Sequence, residues 1–587
     1  RSVSQGVDCL ICLPKTACLR LCVYSPDDIF EIMSNKIKKE FGIECNFLVL
    51  RKKAEALAWE EKKEYTSIHE IYKKLPEIMK ISNETADKIK NMEIELELKT
   101  CIPRKDMLKI FNHIKACGKK IVLVSDMYLT SDIVVRMLDK CGFKEYDDIW
   151  ISCEKGLRKD NNSIWGEFFK VFGGYNTIHV GDNPRSDIQL VGDQLKRTFF
   201  VINPRTAFKM SRYYDKFKPY INGSVTDRIM LGMFINGGVY NSPFCQGNDG
   251  EPVIREYDTM GYSAFGPLFS AFSLWLNRKT DNNDVLMFLA REGYIFEQVY
   301  KNVFDSDKGA MRRSCYFLAS RRAVSVAAIR NSEDVRGILA QFYRGTLDNL
   351  LSSRLGIELF EGVDNRAVSM PEDIDSVMES LTPYMEHIFK KAEEERNNYI
   401  EYIKSMGAES NGVIVDVGYS GTIQYYMAKL MQNKQKGLYL CTWVDKKPEK
   451  LGCVCDAMYP VLRKEDEKTH KIFKNQLFLE AVLKAPFGQL ICFRKGNMGV
   501  EPLYKSDNVI PDELKELQNG ILKYALDFGK TSGDLTNRSD VNTDMVSDLF
   551  ELCLEGGWMS EKVGDIMTVQ DDYCKNGSHK FNARSKT

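Results

Sequence analysis

The chain has 587 residues, of which 44% are hydrophobic and 28% are charged. Both fractions are close to those of globular proteins, which excludes collagen-like, low-complexity and wholly disordered chains. The 82 Lys and Arg residues balance 82 Asp and Glu residues, so we expect no nucleic-acid partner. No apolar run approaches about 18 residues, so we expect no membrane span. A domain has about 150 residues, so this length predicts two or three domains.

Cysteine usage predicts a cytoplasmic, reduced protein. The 17 cysteines are odd in number and spread over the chain, whereas a secreted scaffold packs paired cysteines densely. Lys15 and Arg20 interrupt the apolar run that a signal peptide would need. The cysteines between Cys9 and Cys22 have the short spacing of zinc or iron–sulfur ligands. No turn glycine separates them, so we favour buried structural cysteines.

The first predicted elements form a charged, helix-rich module. Ser25 and Pro26, followed by two aspartates, are typical of a helix start, with a capping hydroxyl, a first-turn proline and acids near the positive end. Apolar residues then recur at near-helical spacing as far as Met79. We predict a small helical module over residues 26–98.

After this module, short apolar runs alternate with helical segments. The predicted strands are Lys119–Asp126, Asp148–Ser152, Thr177–Asp182 and Phe199–Ile202, and the predicted helices between them are Thr130–Cys141 and Ser163–Phe172. This alternation is typical of a doubly wound, parallel α/β sheet. We assign residues 1–25 and 99–210 to this core, which the helical module interrupts.

The second half of the chain repeats the same kind of alternation. Residues 211–256 are rich in glycine and predict a linker. Residues 257–500 predict a second α/β domain, whose strands include Asp284–Leu289 and a run from Gly412 into a glycine-rich turn. Residues 501–587 are polar and favour helices, with disorder expected from Asn576 onward.

Several polar residues follow the predicted strands of the first domain. Ser125 and Asp126 end one strand, Asp182 ends another, and Lys159 lies in a loop between them. In α/β sheets, ligands bind at the carboxyl ends of the strands. A serine hydroxyl and a lysine can hold phosphoryl oxygens, and Asp182 with Asp187 can hold Mg²⁺. Each residue alone has an ordinary structural explanation, but their order on successive strand ends predicts a phosphate site.

This stretch resembles the haloacid dehalogenase-like (HAD) hydrolase superfamily. The second family motif resembles V-L-V-S-D-M at Ser125, the third Lys159, and the fourth H-V-G-D-N-P-R-S-D at Asp182 and Asp187. The helical module lies where this family inserts a helical cap. The resemblance implies a HAD-like doubly wound fold and Mg²⁺-dependent phosphoryl transfer through an aspartyl-phosphate.

The resemblance also implies a role for each of these residues. Ser125, with Asp126 beside it, would bind the phosphate, and Lys159 would steady the nucleophile and the phosphoryl charge. Asp182 would ligate Mg²⁺, and Asp187 would support the metal site. The expected activity is a phosphatase acting on a small phosphomonoester such as a sugar phosphate.

The nucleophile position departs from the family pattern. The family has an aspartate at the end of the first strand, whereas alignment on Thr16 puts Cys12 at this position. Asp8, the nearby carboxylate, lies four residues too early. A cysteine cannot form the acyl phosphate, and it weakens a Mg²⁺ site, which prefers oxygen. Pro14 would also be awkward within a central strand.

Three explanations of this departure stay open. The protein is a non-catalytic one that binds a phosphorylated ligand, or residues 1–18 are altered by truncation or a frame change, or Cys12 itself is the nucleophile. The regular pattern that returns at Leu19 favours an altered start. Cys12 as a nucleophile lacks a basic anion-binding loop around it.

The second domain has polar strand ends of its own. Arg291 and Arg321 follow two predicted strands. A turn at a helix start contains Ser420, Gly421 and Thr422. These residues predict an anion site as readily as arginines that pair with local acids and a glycine that only shapes the turn. A transferase acting on a phosphorylated donor is one hypothesis for this domain. The whole chain also resembles predicted HAD-type hydrolases encoded among bacterial surface-polysaccharide genes, which implies association with polysaccharide-assembly enzymes.

Overall fold

The computed structural model describes residues 9–192, 195, 197–247, 249–306, 309–497, 499–505, 509–533, 535, 541–555, 557–565, 568–570 and 578–580. The chain divides into two units. The first unit comprises Arg1–Ile254, Asp305–Asp307 and Leu526–Met545, and the second unit comprises the other residues. Within the described ranges, no helix is both long enough and apolar enough to cross a membrane.

The first unit contains one parallel sheet, one short antiparallel pair and many helices. Its strands are β1 (Cys9–Leu13), β2 (Leu19–Leu21), β3 (Cys101–Pro103), β4 (Lys120–Ser125), β5 (Asp148–Ile151), β6 (Asn176–Gly181) and β7 (Thr198–Phe200). Its helices are α1 (Lys15–Cys18), α2 (Asp27–Phe41), α3 (Phe47–Lys62), α4 (Ile68–Tyr72), α5 (Leu75–Met79), α6 (Asn83–Thr100), α7 (Lys105–Ala116), α8 (Ser131–Lys140), α9 (Ser152–Lys155), α10 (Ser163–Phe172), α11 (Leu190–Gly192), α12 (Pro204–Met210), α13 (Tyr214–Ile221) and α14 (Val225–Met233).

The sheet of the first unit has five parallel strands in the order β5-β4-β1-β6-β7. On one face, Leu10 and Val122 pack against Ile164 and Trp165 of α10, which buries this side of the sheet. The first strand of the chain, β1, lies in the centre, so the order of the strands reverses between β1 and β6. In such sheets a ligand crevice opens at the carboxyl ends of the two strands where the order reverses.

Helices α2 to α6 form an insertion between β2 and β3. These two strands pair antiparallel and bring both ends of the insertion together. In its centre, Arg51 Nε donates to Glu93 Oε2 at 3.0 Å, and the Tyr72 hydroxyl donates to the same oxygen at 2.6 Å. Arg51 and Glu93 are both buried, and each charge has a partner. At the start of α2, Ser25 donates its backbone N–H to Asp28 and does not cap the helix with its side chain.

Residues 211–256, for which the sequence predicts a linker, contain α13 and α14. Gly232 in α14 lies against Val23, because a Cβ added to this glycine would be 2.1 Å from the Val23 carbonyl carbon. Asn236 Nδ2 donates to the carbonyl oxygens of Leu21 and Val23 at 3.1 and 2.8 Å. This part of the stretch is packed onto the segment that follows β2, and its glycines serve close approach.

The second unit repeats the alternation of strands and helices. Its strands are β8 (Val285–Leu289), β9 (Arg313–Phe317), β10 (Tyr343–Thr346), β11 (Ala367–Met370), β12 (Gly412–Asp416), β13 (Lys436–Thr442), β14 (Val454–Pro460), β15 (Leu490–Gly496), β16 (Gly499–Tyr504), β17 (Thr568–Gln570) and β18 (Ser578–Lys580). The helices from residue 257 onward are α15 (Tyr257–Met260), α16 (Gly266–Arg278), α17 (Gly293–Val303), α18 (Arg321–Ala327), α19 (Ser332–Leu339), α20 (Leu347–Leu355), α21 (Ile374–Leu381), α22 (Met385–Ser405), α23 (Thr422–Met431), α24 (Gln476–Val482), α25 (Asp512–Ser532), α26 (Thr543–Glu555) and α27 (Glu561–Gly564).

The main sheet of the second unit has five parallel strands in the order β14-β13-β12-β8-β9. Its order reverses between β8 and β12. On one face, Met287 and Ile414 belong to a core that includes residues of α18, α22 and α23. Phe288, which points to the other face, contacts Tyr300 of α17 with ring centroids 5.7 Å apart. The apolar strands β8 and β12 are therefore covered on both sides, as parallel strands require.

The predicted fold class is confirmed. The first unit has a parallel α/β sheet with a helical insertion, the second unit has another parallel α/β sheet, and α25 to α27 lie near the end of the chain. The antiparallel pairs β10–β11 and β15–β16 have no counterpart among the predicted strands. The end from Asn576, for which the sequence favours disorder, lies outside the described residues except for β18, which pairs with β17.

Candidate functional site

The carboxyl edge of the first sheet collects the residues predicted to bind phosphate. Ser125 is the last residue of β4, and Asp126 follows it. Asp182 comes directly after β6, and Asp187 lies in the helical turn that follows. Lys159 lies in the loop between α9 and α10. All five residues thus lie at or just after the strand ends of this edge.

Asp182 accepts hydrogen bonds from three side chains. Thr16 Oγ1 donates to Oδ1 at 2.7 Å, and Arg20 Nη2 and Asn203 Nδ2 donate to Oδ2 at 2.9 and 3.0 Å. Burial opposes the ionisation of Asp182, but the charge of Arg20 and these hydrogen bonds hold its pKa below the ordinary value. Thr16 follows β1 and Asp182 follows β6, so their contact joins the two strands between which the order reverses.

Lys159 and Asp187 form a buried ion pair. Lys159 Nζ lies 2.6 Å from Asp187 Oδ1, and His179 Nε2 lies 3.4 Å from the same oxygen. The Asn183 N–H donates to the other carboxylate oxygen at 3.1 Å. Burial opposes the ionisation of Asp187, but the neighbouring His179 ring and the charge of Lys159 hold its pKa far below the ordinary value. The lysine charge is therefore already balanced by a carboxylate.

Ser125 is the member of this group with an unused hydrogen-bonding group. Its hydroxyl has no hydrogen-bond partner among the residues that the structure describes, although the residue is only 5% exposed. Asp126 is occupied, because its two carboxylate oxygens accept the Lys159 N–H at 3.1 and 3.0 Å. Asp126 therefore positions the loop that carries Lys159, and Ser125 is the group that can bind a ligand oxygen.

Cys12, which alignment on Thr16 puts at the nucleophile position, lies in the hydrophobic core. It is fully buried in β1 and belongs to the cluster that contains Leu10 and Trp165. Burial raises the pKa of its thiol far above the ordinary value, while the charge of Lys159 lowers it in part. Because the thiolate is the nucleophilic form, this environment opposes attack by Cys12.

The start of the chain differs from its sequence expectation at Pro14. This proline lies directly after β1 and not within it, so β1 keeps its pairing with both neighbours. The predicted conflict with a central strand therefore does not arise. Asp8, the carboxylate nearest to the nucleophile position, lies outside the described residues.

The donors at this edge do not fit Mg²⁺, which prefers octahedral coordination by oxygen. The Asp182 carboxylate already accepts three hydrogen bonds, one of them from a guanidinium whose charge repels a cation. The Pro14 carbonyl oxygen accepts the Ala17 N–H at 3.0 Å, and Cys12 replaces the carboxylate on the first strand. Across the described part of the chain, no group of three or more His, Cys, Asp or Glu residues is placed to hold a metal ion.

The helical insertion lies against the loop that carries Lys159. The guanidinium carbon of Arg158 is 4.6 Å from the centroid of the Trp59 ring. Gly156 has φ +63°, and a Cβ added to it would be 2.0 Å from the Tyr65 ring, so only glycine fits here. The insertion therefore covers one side of the loop that carries Lys159.

Three residues that hold this site were not predicted from the sequence. Arg20 and Asn203 lie 162 and 21 residues from Asp182 along the chain, and only folding brings them together. His179 is fully buried in β6, where burial lowers its pKa and Asp187 partly opposes this effect. A histidine within a predicted strand was the one available signal.

The residues predicted in the second unit also lie at the carboxyl edge of their sheet. Arg291 follows β8, Arg321 begins α18 after β9, and Ser420 to Thr422 follow β12. Gly421 has φ +69°, and a Cβ added to it would be 2.8 Å from Pro448 Cγ, so this turn requires glycine. The sequence-predicted residues thus occupy two separate edges, one in each unit.

Comparisons with known proteins return only distant structural similarity. No family model matches the chain, and no curated protein matches it. The chain is similar to the crystal structure of a putative beta-phosphoglucomutase from Thermotoga maritima, with 11% identity over 33% of this chain and 85% of that one and a TM-score of 0.25. It is also similar to a dehalogenase with an intermediate complex, with 9% identity over 34% and 86% of the two chains and a TM-score of 0.23. Because both TM-scores are so low, the description of the fold rests on the strand order and the helical insertion.

Proposed function

We propose that the first unit is a HAD-type domain that binds a small phosphomonoester, such as a sugar phosphate, without hydrolysing it. The observation that carries this proposal is the contrast between Ser125 and Cys12. The Ser125 hydroxyl ends a central strand without a hydrogen-bond partner among the described residues, whereas Cys12 is sealed in the core. This contrast supports a domain that binds a phosphate and does not attack it.

The binding chemistry follows from the groups around Ser125. A phosphoryl oxygen can accept the Ser125 hydroxyl and backbone N–H groups of the loop after β4. Lys159 contributes a positive charge, but its 2.6 Å pair with Asp187 reduces the field that a ligand would feel. We therefore expect modest affinity that depends on hydrogen bonds more than on net charge.

Hydrolysis is disfavoured by the same geometry. An acyl phosphate requires a carboxylate at the end of β1, and a buried thiol cannot replace it. The pairing of Asp182 with Arg20 also engages the carboxylate that follows β6. A Mg²⁺-dependent phosphatase, as the family resemblance implies, is the alternative that the experiment below tests. Cytoplasmic location and association with polysaccharide-assembly enzymes stay predictions.

The test combines binding and turnover on the full chain. Titration calorimetry with glucose 6-phosphate should show binding that Ser125→Ala weakens about tenfold, because one hydrogen bond to a charged group is lost. Ser82→Ala, which changes an exposed serine of the insertion, should leave the affinity unchanged. A phosphate-release assay with and without Mg²⁺ should show no turnover. Release that requires Mg²⁺ and disappears in Asp182→Asn would establish the phosphatase instead.

A further inference from the structure

The second unit has an unassigned crevice where the order of its strands reverses. Val415 of β12 pairs with Phe288 of β8, so the segments that begin at Ala290 and Val417 leave the sheet side by side. The helix after β8 packs on the Phe288 face, and the helix after β12 packs on the Met287 face. The two segments therefore diverge, which opens a crevice between them at the carboxyl edge.

A cation without an acidic partner lies at the mouth of this crevice. Arg291 is exposed, and among the described residues none forms an ion pair or a hydrogen bond with its guanidinium. Its backbone is held, because its N–H donates to Glu292 Oε2 and its carbonyl oxygen accepts the Tyr294 N–H. A planar guanidinium on a fixed backbone is well suited to phosphate oxygens.

The turn after β12 offers hydrogen-bond donors on the other side of the crevice. Ser420 Oγ and Thr422 Oγ1 lie 3.2 Å apart and bond to each other. The turn is anchored because the Ser420 carbonyl oxygen accepts the Lys447 N–H at 3.1 Å. Its position at the start of α23, a helix of 10 residues, adds backbone N–H groups that attract anions.

An aromatic surface adjoins Arg291. The ring centroid of Tyr294 lies 5.6 Å from that of Tyr316 and 5.9 Å from that of Phe487. Phe487 is 41% exposed, so part of its ring is open to solvent beside these two tyrosines. The Tyr316 hydroxyl is buried and has no hydrogen-bond partner in the described part of the chain. An unsatisfied polar group beside an exposed ring indicates a ligand that has both a ring and polar groups.

The acidic groups of the crevice suit hydroxyl groups of a ligand. Asp416 ends β12, and its Oδ1 accepts the Val417 N–H at 2.8 Å, which leaves Oδ2 for another partner. Burial and the nearby Glu292 raise the pKa of Asp416 well above the ordinary value. A carboxyl group of this kind can both donate to and accept from a hydroxyl of a ribose ring.

We propose that the crevice between β8 and β12 binds a nucleoside diphosphate. The phosphates would lie between Arg291 and the Ser420–Thr422 turn, and the base would stack on Phe487. This site is separate from the proposed sugar-phosphate site of the first unit, and each stands if the other fails. An exposed ring beside an unpaired arginine distinguishes a nucleotide from inorganic phosphate or a sugar phosphate, neither of which has a base to stack.

The experiment uses titration calorimetry of the full chain with UDP and ADP. Uridine, inorganic phosphate and glucose 1-phosphate serve as partial ligands. At least one nucleoside diphosphate should bind at least about tenfold more tightly than each partial ligand, because stacking and phosphate contacts add. Hydrogen–deuterium exchange should show protection of residues 290–296 and 416–423 on binding, and no protection of residues 122–127.

Variants identify the groups that bind. Arg291→Ala should weaken binding about tenfold, and Phe487→Ala should weaken it by a similar factor through lost stacking. Arg344→Ala, an exposed arginine of the separate β10–β11 pair, is the matched control and should have no effect. The proposal is overturned if neither nucleotide binds at millimolar concentration, or if Arg291→Ala and Phe487→Ala both bind as the parent chain does. Equal binding of glucose 1-phosphate that Arg291→Ala weakens and Phe487→Ala leaves unchanged would overturn the nucleotide class.

Discussion

The carboxyl edges of the two sheets have the same kind of reversal in strand order, but the charged side chains at these edges differ in their pairing. In the first unit, Thr16 and Asp182 meet at 2.7 Å across the reversal point, and Lys159 is paired with Asp187 at 2.6 Å. In the second unit, Arg291 stands at the reversal point with no ionic partner among the residues that the structure describes. At the first edge the charged side chains are paired within the protein and Ser125 keeps an unused hydroxyl, whereas at the second edge Arg291 has no ionic partner among the described residues.

This difference shows that strand order alone does not make a ligand-binding site. The reversal of strand order opens a crevice in both sheets. The chemistry of each crevice depends on whether the charged side chains at the edge of the sheet pair with one another or remain available to a ligand. The paired residues of the first edge act mainly on stability, and the unpaired residues of the second edge act mainly on binding.

The largest expected effect is the loss of stability in Lys159→Met. This change leaves the Asp187 carboxylate buried without its ammonium partner, so we expect the first unit to lose about 4 kcal/mol of unfolding free energy. Urea unfolding, followed by hydrogen exchange in β4 and β6, measures this loss. Lys170→Met, which removes an exposed partner of Glu167, should cost less than about 1 kcal/mol. Equal losses in the two variants would show that the buried ion pair contributes no more to stability than the exposed one.

Cys12→Asp tests whether the core tolerates a carboxylate at the nucleophile position. The new group would be buried in an apolar cluster beside Asp187, so we expect a loss of about 3 kcal/mol, against about 1 kcal/mol for Cys12→Ala. Thermal unfolding of both variants gives the comparison. We expect no phosphate release from either variant. A stable Cys12→Asp protein that releases phosphate would show that the first edge opens more readily than its contacts indicate.

Gly421→Ala probes the turn of the second edge. The positive φ of +69° and the 2.8 Å approach to Pro448 predict a loss of about 1–2 kcal/mol of stability. Gly337→Ala is the matched control, because this exposed glycine lies inside α19 with open space around it, and it should gain about 0.5 kcal/mol. Denaturant midpoints of both variants measure these changes in stability. If Gly421→Ala is neutral, the turn is looser than the proposed phosphate contact requires.

The smallest effect concerns pH and Asp416. Its pKa is raised in the folded protein, so its ionisation costs stability once the pH rises above the ordinary range of a carboxyl group. Asp416→Asn should therefore stabilise the second unit by about 1 kcal/mol at neutral pH, and this gain should vanish at pH values well below that range. A gain that is equal at acidic and neutral pH would contradict this account.

Local sequence patterns were sufficient for most of the parallel strands, though not for β14, and for the order of the site residues. The apolar runs of β4, β6, β8 and β12 end in polar residues, and a parallel sheet brings all these ends to one edge. The position of Ser125 and Arg291 at such edges therefore needed no knowledge of tertiary contacts. The packing of residues 211–256 was not predictable in this way, because their glycines look like a linker until the close approach to Val23 is known.

The sequence by itself determined the two α/β sheets, the helical insertion and the absence of an aspartate at the position that aligns with Cys12. These are properties of residue type and of short-range periodicity. The tertiary structure alone shows which charges are neutralised, because Arg20 and Asp182 are 162 residues apart in sequence and no local pattern encodes their pairing. It also decided that Cys12 faces the core and that Arg291 does not meet an acid. Pairing of side chains depends on distances that exist only after the strands have taken their order in the sheet.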